Sequence, residues 1–210
     1  MKPRPLIETA EDLQIGAAHL AHLSGTWSRL IAVTHPLPLR RKPQGFATLL
    51  DAIVGQQVST ASAAAIWSRV QAAGLDDEAA LRDADPARLA GCGLSKSKIR
   101  YAKALAEARL DWVGLAALAD DDLIGTLTQI TGIGPWSAEI YALSALGRAD
   151  ILPAGDLALQ ESARLAFGLA ERPSTAALRK MALPWAPYRS VAARALWAYY
   201  RLAKQREGIR

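Results

Sequence analysis

The sequence predicts an all-α protein, and three observations carry that expectation. Hydrophobic residues make up 51% of the 210 residues, enough for a real core. Ala is abundant while β-branched runs are few, a composition that favours helix over strand. Apolar residues also recur at helical spacing along the chain. A charged fraction of 21% argues against disorder. This length suits one domain or two small ones.

The elements follow in order. Leu13, Leu20, Leu23, Trp27, Leu30 and Ile31 make residues 1–35 mostly helical. Three prolines between His35 and Pro43 stop helix and mark a linker, whose basic triplet Arg40-Arg41-Lys42 reads as a solvated turn. Phe46, Leu49, Leu50, Ile53 and Val54 define the buried face of the next helix. Gly55-Gln56-Gln57-Val58 interrupts it, and Ser59 or Thr60 caps a helix with Ile66, Trp67 and Val70 on its apolar face. Asp85-Pro86 has the form of an N-cap followed by a first-turn proline. Ser95 opens a helix that turns Ile99, Ala102 and Leu105 inward and has Lys96, Lys98, Arg100 and Lys103 at its polar positions. Asp120, Asp121 and Asp122 complement the dipole of a further helix. Beyond it, Asp156 stands where a helix with Leu157, Leu165 and Leu169 would start, and Ser174 caps a short one to Met181. The last helix begins near Pro187 and ends in a basic tail of Arg201, Lys204, Arg206 and Arg210.

Composition excludes several classes. A net charge of +5 favours a polyanionic partner, although a mildly basic soluble protein has the same balance. The single cysteine, Cys92, allows no internal disulfide and no four-thiolate iron–sulfur cluster, so it reads as structural or incidental. His19 and His22 lack a third ligand nearby, and no metal site is expected. There is neither an apolar signal core nor a membrane-spanning run, so an intracellular, soluble protein with no membrane partner is expected.

The strongest local signal is Leu127-Thr128-Gln129-Ile130-Thr131-Gly132-Ile133-Gly134-Pro135-Trp136-Ser137-Ala138, which reads as helix, tight turn, helix. Leu123, Leu127 and Ile130 mark a buried face, Gly132 ends the first helix, and Pro135 suits the first position of the second. Amides at such a helix start bind anions, phosphate among them. An ordinary αα-turn with a glycine cap is the alternative reading of Gly-x-Gly alone. Asp156, likewise, reads first as an N-cap. A carboxylate in that position is held ionised and oriented, so a cap is compatible with a chemical role.

Taken together, Gly132-Ile133-Gly134-Pro135-Trp136-Ser137-Ala138 and Leu152-Pro153-Ala154-Gly155-Asp156 resemble the hairpin and aspartate of the helix-hairpin-helix–Gly/Pro-Asp DNA glycosylase superfamily. Ala52-Ile53-Val54-Gly55-Gln56-Gln57-Val58-Ser59 resembles its upstream helix and wedge loop. Gly93-Leu94-Ser95-Lys96-Ser97-Lys98 and Trp185-Ala186-Pro187-Tyr188-Arg189-Ser190-Val191-Ala192, with Trp197, resemble segments of the alkylpurine branch. The match spans roughly residues 45–200, and the joint order of the motifs is more specific than any one of them.

The resemblance implies two helical lobes with an active cleft between them: residues 36–148, ending in the hairpin, and residues 1–35 plus 149–210. It implies a monofunctional glycosylase in base excision repair that hydrolyses the N-glycosidic bond of alkylated purines such as 3-methyladenine and 7-methylguanine. Asp156 would be catalytic. Trp136 and Trp197 would line the base pocket. Gly132, Gly134 and Ser137 would contact the DNA backbone, and Gln57 would be the wedge. Trp136 occupies the position of the nucleophilic lysine of bifunctional members, so no lyase activity is expected. Glu139 reads as a surface or phosphate-side residue, and Trp67 and Trp112 as core. No cofactor is expected apart from a monovalent cation that the hairpin carbonyls could hold. The expected partner is double-stranded DNA with damaged bases, bound by a monomer in a cytoplasmic, nucleoid-associated setting. Two alternatives stand beside this reading: the same fold acting on deaminated or oxidised bases, with Ile140 where the branch tends to have an aromatic, and a non-catalytic DNA-binding hairpin module.

Overall fold

A computed structural model of the chain, described over residues 5–204, bears out the all-α expectation. In chain order the α-helices among the described residues are α1 (Ala10–Leu23), α2 (Gly25–Thr34), α3 (Phe46–Val54), α4 (Thr60–Ala72), α5 (Glu78–Asp83), α6 (Pro86–Gly91), α7 (Lys96–Glu107), α8 (Trp112–Ala117), α9 (Asp120–Thr128), α10 (Pro135–Ser144), α11 (Leu157–Phe167), α12 (Thr175–Met181) and α13 (Arg189–Lys204). A 3-10 turn, Leu183–Trp185, precedes α13. No strand forms among the described residues; an isolated antiparallel bridge joins Leu6 to Arg148. No described helix is long and apolar enough to cross a membrane. Arg206 and Arg210 of the basic tail lie outside the described residues.

Local chemistry explains where the helices start. Ser59, Asp85, Ser95, Asp156 and Ser174 each accept a backbone N–H of the helix they precede, worth about 1 kcal/mol apiece. The last helix begins at Arg189 rather than at Pro187. The hairpin's first helix closes at Thr128, before Gly132, because the N–H groups of Gln129 and Ile130 reach back three residues, to Thr126 and Leu127.

The chain divides into a continuous unit, Lys42–Ala145, and a discontinuous one, Met1–Arg41 with Leu146–Arg210. In the discontinuous unit α11, α13, α1 and α2 pack together. Trp27 meets Trp185 edge-on at 5.0 Å, and Phe167 stacks on Trp185 at 5.9 Å. Residues 39–41 belong here: the Arg194 guanidinium on α13, fully buried, donates to Leu39 O. Burial and the charges of Arg41 and Arg40 push Arg194 down to about 9. In the continuous unit α3 lies against α7 and α10, and α9 against α10. Leu49, Leu50, Ile53, Val54, Leu105 and Leu127 are its fully buried centre.

Several side chains depart from their sequence reading. Trp67 and Trp112 are half-buried, not core, and Trp112 Nε1 donates to Glu78. Glu139 is 3% exposed, so it is no surface residue. Lys98, on the expected polar face of α7, is buried. Leu157, the first residue of α11, is 62% exposed.

Candidate active site

The hairpin turn is built against a ring. Gly132 has φ +92, and a Cβ there would lie 2.0 Å from Tyr101 Cγ. Glycine is therefore required twice over, by the backbone and by the ring beneath it. A Cβ on Gly134, by contrast, would meet nothing within 4 Å. That open space lies above the N-cap of α10, which no side chain caps, the setting in which backbone amides receive an anion. Ser137 is 2% exposed and its hydroxyl accepts from Gln56 Nε2 at 3.0 Å. Gln56 Nε2 also donates to Gly132 O at 3.0 Å, while Ile130 O accepts from Ile133 N at 3.0 Å. Two turn carbonyls thus already serve N–H donors.

The loop after α3 completes this half. Gln57 is exposed with φ +55, a left-handed strain carried by a non-glycine residue at the loop apex. Val58 beside it is 39% exposed. Lys98 Nζ donates to Val54 O at 2.7 Å, holding the carbonyl end of α3 where the loop leaves; burial lowers the pKa of that ammonium. Gln56, Gln57, Ser97, Tyr101, Gly132 and Gly134 all line a cavity of about 700 Å³ in the continuous unit. Trp136 and Ile140, one turn apart on α10, are half-buried.

Asp156 and Trp197 belong to the discontinuous unit. Asp156 is 3% exposed, and its Oδ1 accepts from Ala158 N at 2.9 Å and Leu159 N at 3.0 Å. The loop carrying it is pinned along its length. Arg189 makes a bidentate pair with Asp150, 2.7 Å on each arm. Ser190, fully buried, accepts from Ile151 N through Oγ and gives its own N–H to Ala149 O. Gln160 Nε2, one turn into α11, donates to Ala154 O at 2.8 Å. Trp197 is 3% exposed, with Arg40 6.0 Å from its ring centroid. Burial, then the charge of Arg201, pushes Arg40 down to about 10.

Sequence reasoning placed the hairpin glycines, the loop apex and the capped aspartate, but missed what holds them. Gln56, Lys98 and Tyr101 brace the hairpin side, and Arg189, Ser190 and Gln160 brace the aspartate loop. The Tyr188-Arg189-Ser190 signature was a signal for the second group, visible as a motif without a role. No group of three or more His, Cys, Asp or Glu suited to a metal forms among the described residues.

Residues 50–187 match the family described as HhH-GPD superfamily base excision DNA repair protein. The chain is 29% identical to the alkylbase DNA glycosidase-like protein mag2 of Schizosaccharomyces pombe, over 92% of this chain and 97% of that one. The solved 3-methyladenine DNA glycosylase of the same yeast, in complex with abasic DNA, superposes with a TM-score of 0.79 at 30% identity, covering 90% of this chain and 96% of that one. A DNA-3-methyladenine glycosidase of Bacillus halodurans gives 0.77 at 31% identity, over 90% and 91%. The chain belongs to the HhH-GPD superfamily of base excision DNA repair proteins.

Proposed function

We propose that the chain is a monofunctional DNA glycosylase that releases alkylated purines, 3-methyladenine and 7-methylguanine, from double-stranded DNA. The observation that carries this reading is Asp156, a buried carboxylate held by two backbone N–H groups, in a chain whose hairpin leaves uncapped amides under an open Gly134. Relatives named as alkylbase and 3-methyladenine glycosylases support the choice of lesion.

The target nucleotide leaves the stack at a cost of a few kcal/mol, less for a damaged pair. The first-turn amides of α10 hold a strand phosphate and offset part of that cost. Gln57, raised at the loop apex, fills the space the base vacates. As the bond to the base breaks, its electron pair passes to the base and positive charge grows at C1′. The Asp156 carboxylate stabilises that charge and orients the water whose oxygen then bonds C1′, with the released proton taken up by the carboxylate or by solvent. An alkylated purine is already cationic, so its departure neutralises it and needs no second acid. Trp136, half-buried on α10, offers an electron-rich face to such a base, worth roughly 0.5–2 kcal/mol. With tryptophan at position 136, no amine is present there to form a Schiff base with the sugar. The working form is a monomer on duplex DNA.

Duplexes carrying single defined lesions test this, with free base and abasic sites scored separately from strand breaks. The expected result is base release with intact strands, lost by at least about a thousandfold in Asp156→Asn while duplex binding survives. Undiminished excision by that variant, or a borohydride-trapped covalent complex with the wild type, would refute the assignment. The half-buried Ile140 favours one second reading, the same chemistry on a neutral deaminated or oxidised base, because a branched aliphatic shapes the pocket differently from an aromatic. Preferential release of such bases over 7-methylguanine would select it.

A further inference from the structure

We infer that Gln56 is a positioning residue that locks the wedge loop to the phosphate-binding turn, so that gap filling and strand grip act on the same nucleotide. The inference rests on the reading of Gln57 as the wedge and of the hairpin as the strand grip. Two adjacent glutamines occupy the loop, and the structure separates them. Gln56 turns inward, with Nε2 3.0 Å from both Gly132 O and Ser137 Oγ. Gln57 stands outward and exposed at φ +55.

The two hydrogen bonds of Gln56 join three features. Gly132 is the left-handed residue of the turn, and its position is already set by the Tyr101 ring. Ser137 lies in the first turn of α10, whose amides are the proposed anion site. Gln56 itself is directly bonded to the strained residue at the apex. At its other end the loop leaves α3 beside Val54 O, which Lys98 holds at 2.7 Å. The loop is thus fixed where it leaves α3 and tied at Gln56 to the turn, leaving the residue after Gln56 in an unfavourable backbone region. A residue kept at positive φ without being glycine persists only where its surroundings enforce it. From the hairpin side, the Gln56 side chain supplies that enforcement. Its amide nitrogen supplies both bonds, so a side chain of the same length without a donor removes the tie while keeping the shape.

A double-mutant cycle on the full chain tests this. Single-turnover release of 7-methylguanine from duplex DNA is measured for the wild type, Gln56→Met, Gln57→Ala and the double variant. Gln56→Met is expected to slow release about tenfold when Gln57 is present, and by no more than about twofold in the Gln57→Ala background. Affinity for undamaged duplex should stay within about twofold, since the amides still grip phosphate. Equal fold losses in both backgrounds mean that Gln56 merely supports the fold, and overturn the inference; so does a wild-type rate in Gln56→Met. A second readout needs no chemistry. The fluorescence of 2-aminopurine placed opposite a tetrahydrofuran abasic analogue reports the side chain entering the gap. Gln56→Met should lose the protein-induced rise as Gln57→Ala does, and a full rise in Gln56→Met overturns the inference. A wild type that gives the rise yet releases no base sinks the proposed function alone.

Discussion

At the scale of single residues, Gly132 shows how much one position can carry. Its left-handed backbone was legible in the sequence, because Gly-x-Gly before Pro135 marks a helix-to-helix turn. The ring beneath it was not legible. Tyr101 lies on α7, far upstream, and only the packing of the continuous unit brings it under the turn. Gly132→Ala should lower stability by about 1–3 kcal/mol and weaken duplex binding, as read by thermal melting and by titration with labelled DNA. In a Tyr101→Ala background the steric part of that penalty should disappear while the backbone part stays. Equal penalties in both backgrounds would mean that the ring does not set the turn. Asp156 is the opposite case: its cap was legible from the residues, and the same geometry makes it a fixed carboxylate.

At the scale of elements, the helix starts at Ser59, Asp85, Ser95 and Ser174 were readable from a capping Ser or Asp, whereas those at Ser24, Asp77 and Asp111, ahead of less regular apolar runs, were not. The faces of α7 were less readable. Lys98 sat at a polar position by periodicity, yet its ammonium is buried to satisfy the carbonyl end of α3. Periodicity reports average faces and cannot see a lysine used as a helix cap for a neighbour. The segment that carries Asp156 is the functional counterpart. It has no regular structure, and the start of α13 supplies the order it lacks, through Arg189 and Ser190. Both partners of the Arg189–Asp150 pair are about a quarter to a third exposed, so its direct worth is about 1 kcal/mol or less. Asp150→Asn should therefore move the melting temperature little. It should nevertheless lower the single-turnover rate severalfold, since misplacing the proposed catalytic carboxylate is costly, while Kd for undamaged duplex holds. A rate unchanged from wild type would show that the loop keeps its shape without the pair.

At the scale of the whole molecule, composition gave the class and charge gave the direction. The surplus of five positive charges is consistent with a polyanion as partner, and a phosphate-gripping protein releases counterions when it binds. Duplex affinity should fall steeply as salt is raised, along a straight line of log Kd against log salt, whatever the sequence of the duplex; an affinity insensitive to salt would contradict the strand-grip reading. The division into units was beyond composition, because it depends on where the chain returns. The continuous unit begins and ends at one place: Lys42 N–H donates to Ser144 O at 3.0 Å. A segment whose two ends are neighbours can be exchanged as a cassette without stretching the host chain. Residues 42–145 hold the turn and the wedge loop, whereas Asp156 is encoded outside them. Recombination at those two points would pass the loop and the turn from one family member to another while leaving Asp156 in place, so the proposed grip and the proposed chemistry could be inherited separately.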